Sequence, residues 1–369
     1  MNYREWLKKA CHTAYTREES VSYYNLMYDD GLLLLGLYYA DTINPDSRFR
    51  PFLLNYVNHF ITEDGTIPYI ANRPLSLDNI HNGKVFFLAW EHTKSPAYKK
   101  ALDFLYELYQ KHPRNKETGG LWHKMRYPEQ MWLDGFFMLH PFISTYASAF
   151  DKPEIFDDIE LQFSLVNSYL YDETAQLYYH ACDFSKQSFW CNKDTGLSPN
   201  FWGRSIGWLG MAAVDVLDTF PADHKGRETI LLTIQRLADG FVRWQNQKSG
   251  CFYQLPTLPD EPENYLESSA SCMFVYTLLK AVRKGYLDSR YLPAAQKGLD
   301  GILTTFASLD SNDQVHLSSV CQVAGLGPEK KKERDGSIFY YLHEPVVMDD
   351  NKGFGAFICA LTEGILLLE

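Results

Sequence analysis

The chain has 369 residues, enough for one large domain or two to three ordinary ones, and 46% of them are hydrophobic, which suffices for a substantial core. A net charge of −11, with no Lys/Arg-rich stripe beyond the short run Lys330–Arg334, leaves no electrostatic footprint for nucleic acid. Aromatic residues make up 15%; most must be core, but sugar rings also pack on such faces.

At the start, Met1–Ser20 carries charges throughout and has no apolar stretch, so it does not read as a signal peptide. The longest apolar run, Leu32–Ala40, is interrupted by Gly36 and is too short to span a bilayer, so no membrane segment is expected. Seven scattered cysteines (Cys11, Cys182, Cys191, Cys251, Cys272, Cys321, Cys359) form no CxxC pair. They read as free thiols of a cytoplasmic protein rather than as a disulfide or zinc framework.

Segments rich in helix formers dominate the remainder: 95–112, 153–171, 203–219, 226–247, 268–285, 289–308 and 353–368. Within the first, Leu102, Leu105, Tyr106 and Tyr109 fall at i, i+3, i+4, i+7, the spacing of one helix face. Alternating strand patterns are scarce. Between helices a turn signature recurs, at Glu63–Tyr69, Glu117–His123, Glu173–His180, Ser249–Tyr253 and Asn312–His316. Periods of this length imply repeated supersecondary units, each a helical hairpin. Six hairpins fit the length, which predicts an all-α fold, an (α/α)6 barrel, as one catalytic domain over 1–369. An open solenoid should have polar terminal units, whereas 353–368 is strongly apolar, which favours a closed ring. The repeated turns would then gather at one end and line a cleft.

Several polar residues stand beside these turns. Asp134 lies between Trp132-Leu133 and Phe136-Phe137; apolar neighbours desolvate a carboxylate, so its pKa is expected to be raised. A buried Asp capping a helix is the alternative. His123 follows Trp122, Asp78 sits in Leu-Asp-Asn-Ile, and His180 ends the third turn. Arg204 lies between Trp202 and Trp208, where a guanidinium can meet a carboxylate or stack on a ring. The structural alternatives are a helix cap for Asp78, a satisfied buried histidine for His180 and an ordinary ion pair for Arg204. There is no GxSxG elbow and no HExxH, and Ala324–Pro328 lacks the context of a phosphate loop. No metal or other cofactor is expected.

Together, Trp122-His123, Tyr127-Pro-Glu-Gln-Met-Trp-Leu-Asp134-Gly, Tyr178-Tyr-His180, Trp202-Gly-Arg204 with Gly207-Trp208, and the closing stretches from Tyr340 and from Asp350 resemble the unsaturated rhamnogalacturonyl hydrolases. These form glycoside hydrolase family 105, related to the unsaturated glucuronyl hydrolases of family 88. The resemblance runs from about Tyr28 to the C-terminus. It implies an (α/α)6 barrel and hydration of the 4,5 double bond that polysaccharide lyases leave on a terminal uronic acid. By resemblance Asp134 is the general acid/base and Asp78 the second aspartate. Tyr28, His123, His180, Trp202, Arg204 and Trp208 line the pocket, with Arg204 the candidate for the uronate carboxylate. Ser205-Ile206 stands where the family often has Gly-Asn, a departure that bears on sugar specificity. The expected partner is a small unsaturated oligosaccharide of pectin (rhamnogalacturonan) type. Three alternatives stand beside this reading. One is a glucuronyl hydrolase acting on glycosaminoglycan disaccharides; its often sulfated substrates need extra cations, and none is evident near the motifs. The others are a sugar 2-epimerase and a non-catalytic oligosaccharide-binding toroid.

Overall fold

A computed structural model describes residues 1–19 and 25–369. Among them, twelve long helices follow one another: α1 (Tyr3–Glu19), α2 (Tyr28–Ile43), α3 (Phe49–Phe60), α4 (Gly83–Thr93), α5 (Pro96–Gln110), α6 (Asp134–Ala149), α7 (Glu154–Tyr169), α8 (Gly203–Val216), α9 (Arg227–Trp244), α10 (Ser268–Arg283), α11 (Leu292–Thr305) and α12 (Asn351–Leu368). The even-numbered helices pack neighbour to neighbour in the order α2–α4–α6–α8–α10–α12, and α12 returns to pack on α2. The odd-numbered helices lie outside them. This is the predicted six-hairpin toroid, closed.

Residue patterns explain which helix goes where. In α8 every residue from Gly203 to Val216 is buried, as are Ser268–Ala281 of α10, so these inner helices touch protein all round. In α9 the buried set is Ile230, Thr233, Ile234, Leu237, Ala238, Gly240 and Phe241, one stripe at helical spacing, with a mostly polar face turned out. Each such apolar side chain contributes about 1.5–3 kcal/mol relative to exposure. Inner helices also need small residues where they meet: a Cβ at Gly207 would come within 2.7 Å of Met273, and one at Gly210 within 2.6 Å of Thr277 Oγ1. The apolar α12 is long and apolar enough to cross a membrane by composition alone, but 78% of its apolar window is buried inside the toroid.

The seven helical segments read from the sequence match α5 and α7–α12 to within a few residues. All five repeat turns join an outer helix to the next inner one, and each turns on a positive-φ residue: Gly65, Gly119, Gln176, Gly250 and Asp313. An Asx residue just upstream secures most of them. Asn115 Oδ1 accepts from the Thr118 N–H, Asp172 Oδ1 from Ala175, Asn246 Oδ1 from Ser249 and Asp310 Oδ1 from Gln314. Among the described residues the strands form four two-stranded ribbons, with two or three residues per strand. Lys330–Arg334 is an exposed loop as read, except that Arg334 folds back to donate to Tyr340 Oη.

Candidate active site

All six inner helices begin at the same end of the toroid, so their N-termini, with unpaired N–H groups and the positive ends of their dipoles, converge there. Tyr28 opens α2, Asp134 opens α6, and Arg204 is the second residue of α8. Asp78 sits in the 3-10 turn Leu77–Asn79, which leads into α4. Buried Glu267 and partly buried Asp350 precede α10 and α12 as side-chain caps.

Short backbone ladders bring residues from different hairpins into contact. Gln130–Trp132 pairs antiparallel with Ala181–Asp183, and the Leu133 N–H donates to the His180 carbonyl at 3.1 Å. That pairing sets Asp134 beside His180, with Nε2 3.2 Å from Asp134 Oδ2 but too oblique for a well-formed hydrogen bond. In the same way Ser76 bridges Lys124, and the Leu77 N–H donates to the His123 carbonyl. This places Asp78 Oδ1 3.5 Å from His123 Nε2 while Lys124 binds the other carboxylate oxygen. The site therefore holds two carboxylates, each with its own histidine.

Stacked rings fix both imidazoles. His123 lies on Trp132 at 4.6 Å between centroids, and Trp132 lies in turn on Tyr127. His180 packs between the edge of Trp132 and the ring of Trp202. Its Nδ1 is 2.7 Å from Tyr341 Oη. Burial pushes the Tyr341 phenol up, so it keeps its proton and donates to Nδ1, which leaves the ring proton on Nε2 facing Asp134.

Asp134 departs from expectation. Burial pushes its carboxyl up, but His180, His123 and Arg204 together outweigh burial and hold it below the ordinary carboxylate range. Leu133, Phe136 and Phe137 are buried in the main core, so the expected desolvation is present, but the histidines and Arg204 prevail over it. For Asp78, too, burial raises the carboxyl, and Lys124 and His123 bring it below its usual range. Burial, with Lys124 adding to it, drives His123 down to about 3, so this imidazole is neutral at ordinary pH.

Arg204 is 1% exposed and lies over Trp202 at 4.8 Å. Its fork was expected to grip a substrate carboxylate. Instead it is taken by the carbonyls of Cys321 and Gln322, with Glu267 Oε1 4.0 Å away. In this arrangement Arg204 serves the site as a fixed positive charge that acts on Asp134 and Tyr28. Trp208 is also set back: it stacks on Phe137 and supports Tyr28 edge-on from the core. Trp202 is buried and bonded to Gln254 Oε1.

A cleft of roughly 720 Å³ opens over Tyr28 and Asp78. Arg73, Lys124 and Arg126 line it, so cations are present where none was read near the motifs, although Lys124 and Arg126 stand in sequence between His123 and Tyr127. Sequence reasoning also passed over Glu267, although an acidic residue before Ser268-Ser-Ala is a helix-start signal, and gave no role to Tyr341. Among the described residues no group of His, Cys, Asp and Glu is arranged to hold a metal ion.

Comparison with known proteins matches residues 6–368 to the model of Glycosyl Hydrolase Family 88. The chain belongs to glycosyl hydrolase family 88. A solved Family 105 glycoside hydrolase from C. acetobutylicum ATCC 824 is 34% identical, with full coverage of both chains and a TM-score of 0.93. Protein Atu3128 of Agrobacterium fabrum is 38% identical over 231 residues, 62% of this chain and 98% of its own length. The unsaturated rhamnogalacturonyl hydrolase YesR of Bacillus subtilis is 28% identical over 279 residues, 74% of each. The family 88 chain is thus a glycoside hydrolase of the unsaturated uronyl type, and the readings as an epimerase or a non-catalytic binding toroid fall away.

Proposed function

We propose that this enzyme hydrates the C4–C5 double bond of an unsaturated uronic acid at the non-reducing end of lyase-generated, rhamnogalacturonan-type oligosaccharides, with Asp134 as acid and base. The observation that carries this reading is the pair Asp134 and Asp78, each backed by a histidine, at the convergence of six helix N-termini. YesR, of similar sequence, bears the corresponding name. Asp134 gives its proton to C4, and as carboxylate it takes one from the water that adds at C5. The hemiketal so formed opens, and the bond to the next sugar breaks with the rearranged ring. One acid of adjustable protonation suffices, because no second carboxylate has to attack the anomeric carbon. His180, held by Tyr341, orients Asp134; Asp78 orients the water or sugar hydroxyls. The helix N-termini and buried Arg204 favour the uronate anion. Incubation with the unsaturated rhamnogalacturonan disaccharide should consume its conjugated double bond. Absorbance that persists at high enzyme concentration would defeat the proposal.

The lowered Asp134 carboxyl sets the pH dependence. Catalysis needs the protonated form, and kcat/KM follows the free enzyme, so kcat/KM should fall as pH rises from acidic towards neutral. In the complex the substrate's own carboxylate disfavours a second anion and pushes Asp134 back up. The alkaline limb of kcat should therefore lie at higher pH than that of kcat/KM. Coincident limbs, or a kcat that grows with pH, would contradict this assignment of the acid.

A further inference from the structure

We propose that Arg73 and Arg126 form a subsite for an acidic group, a carboxylate or a sulfate, on the sugars beyond the unsaturated residue. This assignment rests on the unsaturated-uronyl reading of the site and extends it to the leaving portion of the substrate.

Four observations carry it. First, both arginines line the same cleft as Tyr28 and Asp78, and both residues are exposed. Second, that part of the cleft has a net positive charge although the whole chain is at −11: Lys124 already answers Asp78, and among the described residues neither Arg73 nor Arg126 has an ion-pair partner. Third, their positions are fixed. The Met125 N–H donates to the Leu75 carbonyl at 2.8 Å, and Ser76 bridges Lys124, so the turn carrying Arg126 is tied to the loop carrying Arg73. Fourth, each guanidinium lies over a tyrosine, Arg73 over Tyr69 at 3.8 Å and Arg126 over Tyr127 at 4.9 Å. A guanidinium held on a ring face keeps its donor edge available, and that edge matches the two oxygens of a carboxylate or sulfate.

The same ladder also positions Asp78, so the arginines are held at a set place relative to the reacting end. A neutral leaving sugar would leave two guanidinium groups with nothing to neutralise them. An acidic one would bring the matching charge to them. The chemistry of such a substrate requires a preceding lyase step on a polymer that retains acidic groups beyond the cut.

The test compares three unsaturated substrates: a disaccharide with a neutral deoxyhexose, a tetrasaccharide whose third sugar has a free uronate, and a sulfated disaccharide. The wild type is set against Arg73→Gln, Arg126→Gln and the double variant. Loss of a charge-assisted hydrogen bond should raise KM for the matching acidic substrate about ten-fold per arginine, with the neutral disaccharide unchanged. Added salt should shrink the difference, because the site is open to solvent. The acidic substrate that responds identifies carboxylate or sulfate as the ligand. Calorimetric binding of the same sugars separates this proposal from the catalytic one. Selective loss of acidic-sugar binding supports the subsite even if no double bond is consumed. Equal binding or equal kinetics for acidic and neutral sugars in all variants overturns it, even if the wild type is fully active.

Discussion

Replacing Asp134 with Asn should lower turnover by about 10²–10⁴-fold, the usual worth of general acid–base catalysis, with little change in substrate binding. The amide has nearly the volume of the carboxylic acid and still forms hydrogen bonds, so the first turn of α6 and the contact with His180 stay filled. It cannot release a proton to C4 or accept one from water. Its neutrality also removes an anion from beside the incoming uronate, so KM should hold steady or fall. Turnover measured by loss of the conjugated double bond, alongside calorimetric binding, gives both quantities. A variant with near wild-type turnover would move the acid to another residue, with Asp78 next in line.

Glu267→Ala should be the most destabilising single change near the site, by about 3–5 kcal/mol, the cost of removing one partner of a buried charge pair. The Glu267 carboxylate is fully buried and heavily used. It accepts from the Ala270 N–H at 2.6 Å, from Ser269 Oγ, and from the Cys321 N–H at 2.9 Å, and it lies 4.0 Å from Arg204. Alanine would uncap α10, leave the Cys321 amide without its partner and strand the Arg204 charge in the protein interior. Denaturant titration of the variant against wild type reads the difference directly. A loss below about 1 kcal/mol would show that Arg204 is balanced by other groups.

The architecture was legible because its signals are local. A turn that needs a positive φ attracts Gly or an Asx residue wherever it occurs, so five turns at a repeating interval disclosed six hairpins. The outer helices α5, α7, α9 and α11 carry the one-sided apolar stripe. Helices α2 and α6 are apolar on nearly every side, and α6 contains Pro141, so neither offered the alternation that marks a helix against water. Ribbons two or three residues long are below the length at which a period of two can be read. The site was legible as a set of motifs but not as an electrostatic arrangement. Phe136 and Phe137 are buried in the main core, and the charge state of Asp134 is set by polar and charged groups that are distant in sequence or in the preceding loop, His180, His123 and Arg204. Arg73 and Arg126 stand a whole hairpin apart in sequence, and Tyr341 meets His180 across nearly half the chain. Only the ladders between loops reveal these pairings.

The packing of α12 on α2 has a consequence for how the protein is made. Asn351 Nδ2 donates to Asp30 Oδ1 at 2.9 Å, and Lys352 Nζ lies 3.7 Å from Asp29, so the ring is sealed by residues more than 300 positions apart. The entropy of closing so long a loop grows only logarithmically with its length, but contacts this distant slow the search for the native state. During synthesis the nascent chain displays α2 long before its partner emerges. The face formed by Leu32, Leu33 and Gly36 then has nothing to pack on, which is the situation that favours association between chains. Because the site draws on α2 at one end and on the loop before α12 at the other, no shorter intermediate holds it complete. Catalytic competence and burial of the last apolar surface should therefore arrive together, as the final helix docks.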